Sequence, residues 1–526
     1  MPYYDIATLA VGRAPHYTYR SAESLQPGEI VRVPYGKRTV VGVVLGEANS
    51  RPQGMKEVAE RPGIRLGKHQ RSLAAWVAEE YLTPLGLTYK SFVTEDILKY
   101  APDPVPRAPS TPPGTPASEL LIGTDRSSRY RDLVTEANRA GKSALMLVPE
   151  TSLVSRAVEL LGDAETLAFH SRLTPKQRAL IWWKVFSGEP RVLVGTRSSL
   201  FLPWINLGVI ILDEEDDAAY KQEQAPRYQA RAVASRLAEL SGGRMEFGSL
   251  APSMEIWRRA KSGTLTVTGK SGSIPFTTAA PDSKRVIGFE AWSLVSERLA
   301  QNGQALLYAP ARNLPSVLAA ARELSPKTLP LHGDGRATDD RAVEAFRAGR
   351  CPVLVGGAPL ARDWCLSADA IVCVGIDLLL QLPDFRAAEK AHALLRKLAR
   401  HLTTGGRLLI QTEAADHPAV AGLRNAWEAF ADAELADRKA LRLPPFARLT
   451  RVVVTGRTDA EAAANVSAAV RHLAEFGISP SSTGPAPVNP RGSRYRHQLL
   501  IPGDPKRLSR AVRREWAVDP DPWDML

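Results

Sequence analysis

The apolar run Leu207-Gly-Val-Ile-Ile-Leu212 ends on five consecutive acids, Asp213 to Asp217. Carboxylates closing a buried strand can hold a divalent cation, carry solvated charge, or cap a following helix. If the cation served a nucleotide, a phosphate loop would have to accompany it. Such a loop needs glycines for close backbone approach, a Lys to reach the outer phosphates and a Ser or Thr hydroxyl for Mg²⁺. The stretch GTDRSSRYRDL, starting at Gly123, lies where that loop is expected and lacks its pattern. Two GKS strings occur elsewhere. Gly141-Lys142-Ser143 has Glu136 where the leading glycine belongs, and Gly269-Lys270-Ser271 runs into GSIPF, which cannot open a helix. Both read as surface turns.

The elements that would position these residues are short apolar runs alternating with helical segments: SALMLVPE, RVLVGTRSS, LGVIILDEE and MEFGSLAPS, then QALLYAPAR, CPVLVGGAP, DAIVCVGID and GRLLIQTEA. Continuous apolar runs of this length are what parallel strands covered on both faces produce. Two consecutive α/β lobes follow, with ligands expected at the carboxyl ends of the strands. Ahead of them APDPVPRAPSTPPGTPAS, with seven prolines, forms a linker over 101–118. Before the linker, GEIVRVPYGKRTVVGVVLGE reads as strands joined by a tight YGKR turn, followed by a helix with Leu73, Trp76, Val77 and Tyr81 on one face. The chain from Arg438 onward reads as a small α+β domain: a strand in RLTRVVVTGRT, a helix, a loop, a strand in HQLLIPG and a last helix.

With 526 residues, 44% hydrophobic and 24% charged, the chain has the composition of a soluble globular protein of three or four domains. No apolar run approaches the ~20 residues that span a bilayer, and MPYYDIATLAVGR lacks a signal-peptide pattern, so a cytoplasmic, nucleoid-associated protein with no membrane partner is expected. Three cysteines, Cys351, Cys365 and Cys373, form no CxxC pair; buried or neutral thiols are expected, and neither zinc nor any other metal. The net charge of +12 points to a polyanionic partner, and from Arg438 to the end 15 Lys and Arg stand against 8 Asp and Glu, which is +7 of that total.

The segment VLVGTRSSLFLPWINLGVIILDEEDDAAYKQEQAPRYQARAVA resembles the primosomal replication restart helicases, primosomal protein N′ or PriA. LMLVPE, LAFHSRLT, GSLAPSMEIW, LPDFRAAEKAHALL, IQTEAADHPAV, LPPFARL, TGPAP, RYRHQLL and RVPYGKRTVVGVVLG extend the likeness colinearly over nearly the whole chain. The resemblance implies an α/β superfamily 2 helicase with two RecA-like lobes, a small β-rich N-terminal domain binding DNA 3′ ends, and a C-terminal α+β domain. Its boundaries would be 1–100, the linker 101–118, lobe one 119–283, lobe two 284–437 and the last domain 438–526. Its implied partners are forked and single-stranded DNA, single-stranded-DNA-binding protein and other primosome proteins.

The chemistry of that family is altered here. Counting back from LVPE puts Arg126 where the family has Lys, Ser127 where it has Thr, and Asp125 where it has Gly. A carboxylate there faces the nucleotide's own charge, and at ~4 Å each unit costs about 4 kcal/mol at an effective dielectric near 20. Asp213 and Glu214, which in the family hold Mg²⁺ through water and position the attacking water, remain, whereas Asp216 stands in place of a His. The family's GRAGR becomes Arg400-His401-Leu402-Thr403-Thr404, so both arginine-finger positions are lost; such fingers are worth about 10³ to 10⁵ in rate. The family's GTQMLAKG becomes Gly356 to Asp363, and the zinc insert and winged-helix segment are absent. Arg126, Ser127, Asp213 and Glu214 are therefore read as vestigial. No catalytic residue or cofactor is assigned.

The DNA-facing residues are Tyr17 and Tyr19, flanking Thr18 where the family has Asp; Lys37 and Arg38 on the YGKR turn; Arg197, Lys221, Arg227 and Tyr228 in lobe one; and Arg491, Arg494, Tyr495 and Arg496 near the end. Basic residues interleaved with aromatics suit single strands, and the same tyrosines can equally be core. The reading is a fork-binding restart factor that neither hydrolyses ATP nor unwinds DNA. Its alternatives are an active 3′ to 5′ helicase using Arg126 and Asp213, or a sensor that binds ATP and Mg²⁺ without turnover.

Overall fold

The computed structural model describes residues 1–10, 16–49, 54–102, 117–162, 165–189, 191–333, 337–362, 364–480, 486–491 and 494–525. The Pro-rich segment expected as a linker lies outside them from 103 to 116. Four sheets organise the described residues.

At the N-terminus, Tyr17–Arg20, Tyr3–Thr8, Arg38–Glu47 and Ile30–Tyr35 pair antiparallel in that order. Gly36, at φ +61°, takes the first central position of the hairpin loop between Tyr35 and Arg38. A glycine there is what a type II′ turn requires, and the turn carries Lys37 and Arg38 outward. The helix Lys68–Glu80 buries Leu73, Ala74 and Val77.

The two lobes have parallel sheets. The first runs Thr266–Gly269, Ser118–Ile122, Arg244–Ser249, Leu207–Asp213, Ser143–Leu147, Val192–Gly195, Leu167–Phe169, every neighbour parallel. The second runs Thr277–Ala279, Leu402–Gln411, Ala368–Val374, Ala305–Tyr308, Val353–Gly356, Leu329–Leu331, again all parallel. Numbered within each lobe, both have the order 1-6-5-2-4-3, the first with a seventh strand added beside strand 1. The central strands, such as Ser143–Leu147 and Val353–Gly356, are buried at every position. This is why they read as uninterrupted apolar runs rather than alternating ones.

The last sheet runs Ala486–Arg491, Arg494–Pro502, Leu449–Gly456, Ala517–Pro520, antiparallel throughout. In place of the last helix expected from the sequence, residues after 502 form a 3₁₀ turn, Pro505–Leu508, and the strand Ala517–Pro520. Trp516 and Val518 are buried, and pairing along the edge of Leu449–Gly456 satisfies backbone groups that a surface helix would have left open. Cys351 and Cys373 are buried as expected, but Cys365 is exposed. Neither GKS string is a simple surface turn: Ser143 is buried with its hydroxyl on Asn206 at 2.8 Å, and the Ser271 hydroxyl donates to Glu428 at 2.7 Å.

One core acid stands out. Glu246, on the strand between Ser118–Ile122 and Leu207–Asp213, is fully buried, and neither of its carboxylate oxygens has a hydrogen-bond partner. Arg129 and Arg244 approach only to 3.9 Å, their nearer engagements being with Glu119 at 3.0 and 2.5 Å. Burial, with Glu119 adding to it against the two arginines, raises Glu246 from 4.5 to about 7. The folded chain therefore keeps a proton that the unfolded chain releases, and stability falls as pH rises through that window. Glu246→Gln is expected to raise the melting temperature near pH 8, by a stabilisation of about 1–3 kcal/mol, and to leave it nearly unchanged near pH 5. Thermal unfolding at the two pH values checks this.

Candidate functional site

The strand Ser118–Ile122 ends at Gly123, and after two further residues Arg126 leads into the helix Ser127–Arg139. That helix buries Tyr130, Leu133, Val134 and Ala137, an i, i+3, i+4, i+7 face that fixes its rotation on the sheet. The first turn of such a helix offers unpaired N–H groups to an anion. Here the anion is internal: the Ser127 N–H donates to Asp125 Oδ1 at 3.3 Å.

Arg126 turns inward and is 4% exposed. Its Nε donates to Asp213 Oδ1 at 2.8 Å, its Nη2 to Glu214 Oε1 at 2.7 Å, and its Nη1 to the Gly123 carbonyl. Tyr130, one turn on, donates its hydroxyl to the same Asp213 oxygen at 2.7 Å. Space for the pair comes from Gly248, where a Cβ would stand 1.7 Å from the Tyr130 hydroxyl and 3.1 Å from Arg126 Cδ. Only a glycine fits between them. Glu214 itself is held at φ +52°, a region that costs a non-glycine residue of order 1–3 kcal/mol and persists only where its surroundings demand it.

Those surroundings include the second lobe. Arg400 Nη1 and Nη2 donate to Glu214 Oε1 and Oε2 at 2.7 and 2.9 Å, a two-pronged contact, and Lys397 Nζ bridges Glu214 at 2.9 Å and Asp216 at 2.6 Å. The two arginine-finger positions of the resemblance fall on His401 and Thr404, whereas Arg400, one residue before them, reaches across from just beyond the helix Ala387–Ala399. Burial opposes the Glu214 charge, yet Arg400, Lys397 and Arg126 together hold its carboxyl well below the usual range. Asp216 is pushed up by burial and by Glu214, against Lys397, and accepts from the Ser249 hydroxyl at 2.6 Å. Glu215 points away, to Arg231 and to the Ser253 backbone and hydroxyl. The segment Gly356 to Arg362 contributes a further link: Arg362 pairs with Glu150 at 2.7 Å and Asp217 at 3.3 Å, while Asp363 lies outside the described residues. Three cations thus occupy the acids that a divalent metal would need. No metal-binding cluster of His, Cys, Asp and Glu occurs among the described residues.

The residues expected to face DNA separate into two groups. Lys37 and Arg38 are exposed, as are Arg494 and Tyr495; Arg496 is half-buried. The Arg491 side chain lies outside the description, its backbone pairing with Arg494. Tyr17 is half-buried, its ring 5.4 Å from Tyr35 in an edge contact. Tyr19, by contrast, is buried with its hydroxyl on Pro34 O at 3.2 Å, and burial pushes it up to about 12. It cannot stack on a base. Nor can Tyr228, 5% exposed and packed edge-on against Phe201. Lys221 is also turned inward, with Nζ on Asp519 and the Pro520 carbonyl at 2.8 Å and on the Arg227 carbonyl at 2.7 Å. Arg227 is half-buried and donates to Val518 O at 3.4 Å. Lys221 and Arg227 therefore clasp the C-terminal strand, while Arg197 and part of the Tyr228 surface border open space.

That space is a cleft of about 900 Å³ bordered by Lys90, Arg172, Arg178, Arg197 and the hydroxyls of Thr151 and Ser198. Arg197 is held in its wall by Ala219 O at 2.6 Å and Gln222 Oε1 at 3.0 Å. Sequence reading missed Lys90, Arg172 and Arg178, which lie in two segments, one before and one after the Pro-rich stretch, that only the fold assembles. It also missed Asp5, whose carboxylate accepts from Thr18 at 2.8 Å and lies 3.7 Å from His16. Register pairing of Asp5 with Thr18 puts an acid beside the position where the sequence reading notes one missing.

Residues 8–94 match the 3′DNA-binding domain (3′BD) of PriA, and residues 439–521 match the primosomal protein N C-terminal domain. Curated relatives include the replication restart proteins PriA of Chlamydia pneumoniae, 27% identical over 72% of this chain and 63% of its own length, and of Bacillus subtilis, 25% over 72% and 58%. The chain therefore spans about three fifths of those two relatives. The PriA of Treponema pallidum is 26% identical over 92% of both chains. Among solved structures, Saccharomyces cerevisiae Dbp5 bound to RNA and ADP BeF3 aligns at a TM-score of 0.44 and 14% identity, covering 67% of this chain and 98% of that one.

Removing one partner from a buried ion cluster strands the others. Arg126→Ala is expected to destabilise the protein by about 3–5 kcal/mol. Arg126→Lys should recover only part of that, because a single ammonium cannot reach Asp213, Glu214 and the Gly123 carbonyl together. Denaturant unfolding of both variants reads the difference.

Proposed function

We propose that this chain, a relative of the PriA replication restart proteins carrying their 3′DNA-binding and C-terminal domains, binds branched and single-stranded DNA at abandoned replication forks and helps reload the replisome without hydrolysing ATP. The observation that carries the reading is the state of the cleft between the lobes. Asp213 and Glu214 are neutralised by Arg126, Lys397 and Arg400, so Mg²⁺ and a polyphosphate would have to break buried ion pairs to enter.

The cations that face outward are differently placed. Lys37 and Arg38 stand on an exposed hairpin tip with no ion-pair partner among the described residues, ready to contact phosphates. In the N-terminal sheet, Tyr17 and Tyr35 offer an aromatic edge for a terminal base, and Asp5 offers an acceptor for a terminal hydroxyl. The cleft bordered by Lys90, Arg172, Arg178 and Arg197 would track a single strand through charge and hydroxyl contacts rather than base reading. Arg494, Tyr495 and Arg496 in the C-terminal sheet would hold a second arm. No helix among the described residues is long and apolar enough to cross a membrane.

Binding of this kind is dominated by counterion release and weakens steeply with salt. Lys37→Ala/Arg38→Ala is expected to lower affinity for forked DNA about evenly across sequences and to flatten the salt slope by about 1–2 units, measured by fluorescence anisotropy. Asp5→Ala should abolish any preference for a 3′-hydroxyl over a 3′-phosphate end. DNA-stimulated ATP hydrolysis that Asp213→Ala eliminates would overturn the proposal.

A further inference from the structure

Beyond a site that does not turn ATP over, the cleft has a mechanical consequence. Three side chains of the second lobe grip four acids of the first. Lys397 and Arg400 hold Glu214 and Asp216 at 2.6–2.9 Å, and Arg362 holds Glu150 at 2.7 Å and Asp217 at 3.3 Å. The central members are almost wholly withdrawn from water: Lys397, Arg400 and Glu214 have side-chain exposures of 9%, 6% and 2%. Arg126 completes the set from the first lobe, so that Asp213, Glu214 and Asp216 face Arg126, Lys397 and Arg400, three charges against three. In a two-lobed nucleotide machine the bound metal and polyphosphate draw the lobes together. Here the protein's own guanidinium and ammonium groups pair with those acids.

We infer that this cluster is a built-in substitute for a bound nucleotide, which locks the two lobes shut in the absence of any ligand. Several features demand it. Glu214 adopts a left-handed backbone conformation that no isolated residue would keep, and it does so where three cations converge on it. Opening the lobes would leave Glu214 and Arg126 facing each other without the two lobe-two cations, and would expose Lys397 and Arg400 unpaired at a surface shaped to receive carboxylates. A second anchor lies beside the cleft, where the Trp523 ring takes Arg231 of lobe one at 5.3 Å and Arg386 of lobe two at 5.2 Å on its face. Because Glu150 and Gly333 both border the 900 Å³ cleft and come from different lobes, a locked pair of lobes also means that this groove is preformed.

The test measures the lobes directly in DNA-free protein, so it stands or falls separately from the DNA-binding proposal. With Cys365→Ser as background, Glu159→Cys in lobe one and Glu323→Cys in lobe two, both exposed, take spin labels for pulsed electron–electron distance measurement. The expected result is one narrow distance distribution that does not change with MgADP or a non-hydrolysable MgATP analogue. Arg362→Met/Lys397→Met/Arg400→Met should add a longer, broader component. Arg407→Met, which alters a solvent-facing pair with Glu297 at 3.8 Å, should leave the distribution unchanged. Should the triple variant not fold, Glu214→Gln, which keeps every cation and weakens their common acceptor, is expected to broaden the distribution in the same direction. A broad wild-type distribution that narrows on adding nucleotide, or a folded variant of either kind that stays as narrow as wild type, would sink the inference.

Discussion

The convergence of Arg126, Lys397 and Arg400 on Glu214 is the constraint from which the middle of the molecule follows. Isolated charge in a protein interior is expensive, and a buried pair is tolerable only when its remaining donors and acceptors are also satisfied. Each member here meets that condition through another: Arg126 through Asp213, Tyr130 and Gly123, Lys397 through Asp216, Asp216 through Ser249. The network reaches into both lobes, so its satisfaction sets their relative position as well as the stability of either. Even a backbone detail as small as the missing Cβ of Gly248 belongs to it, since the Tyr130 hydroxyl fills that gap.

Further ion pairs join the two ends of the chain to each other and the C-terminal sheet to lobe one. Arg448 reaches Glu80 at 2.7 Å on the N-terminal helix, Lys506 reaches Glu79 at 2.8 Å, and Lys221 of lobe one closes on Asp519. The exposed Lys506–Glu79 pair contributes little by itself, as solvent screens it. Lys221–Asp519 is of the other sort, 7% exposed on both sides and backed by two carbonyls. A loop that could have carried cations to DNA is thereby committed to holding the C-terminal sheet against the first lobe.

Much of this was legible in the sequence, and the boundary of legibility is physical. Strand runs such as VLVG and LGVIILD announce themselves because both faces of a parallel strand are buried. Lys37 and Arg38 were legible because Gly36 and a two-residue turn specify their exposure locally. Arg400 was not, because its partner lies 186 residues away and only tertiary packing brings them together. A weak signal did exist: Lys397 sits beside Leu394, Leu395 and Leu398 on the buried face of its helix, and a cation amid apolar positions requires a buried acid somewhere. The YKQ and RY text around Lys221 and Tyr228 misled for the opposite reason. Alternating basic and aromatic residues describe a strand-binding loop and an interdomain clasp equally well, and burial alone tells them apart.

A stretch with Asp125 and Arg126 where a phosphate loop has glycine and lysine invites the view that the neighbouring acids are free of constraint. The geometry argues otherwise. Once Arg126 has entered the site that a magnesium ion would neutralise, Asp213 and Glu214 serve as its counter-ions, and neutralising either acid would strand a guanidinium that is 4% exposed. The same holds in reverse for Lys397 and Arg400, whose removal would leave Glu214 with a strained backbone and one cation instead of three. Acid and base are each retained by the cost of losing the other. Within this fold the acidic cluster needs no nucleotide to hold it, because its charges meet Arg126, Lys397 and Arg400 across the cleft.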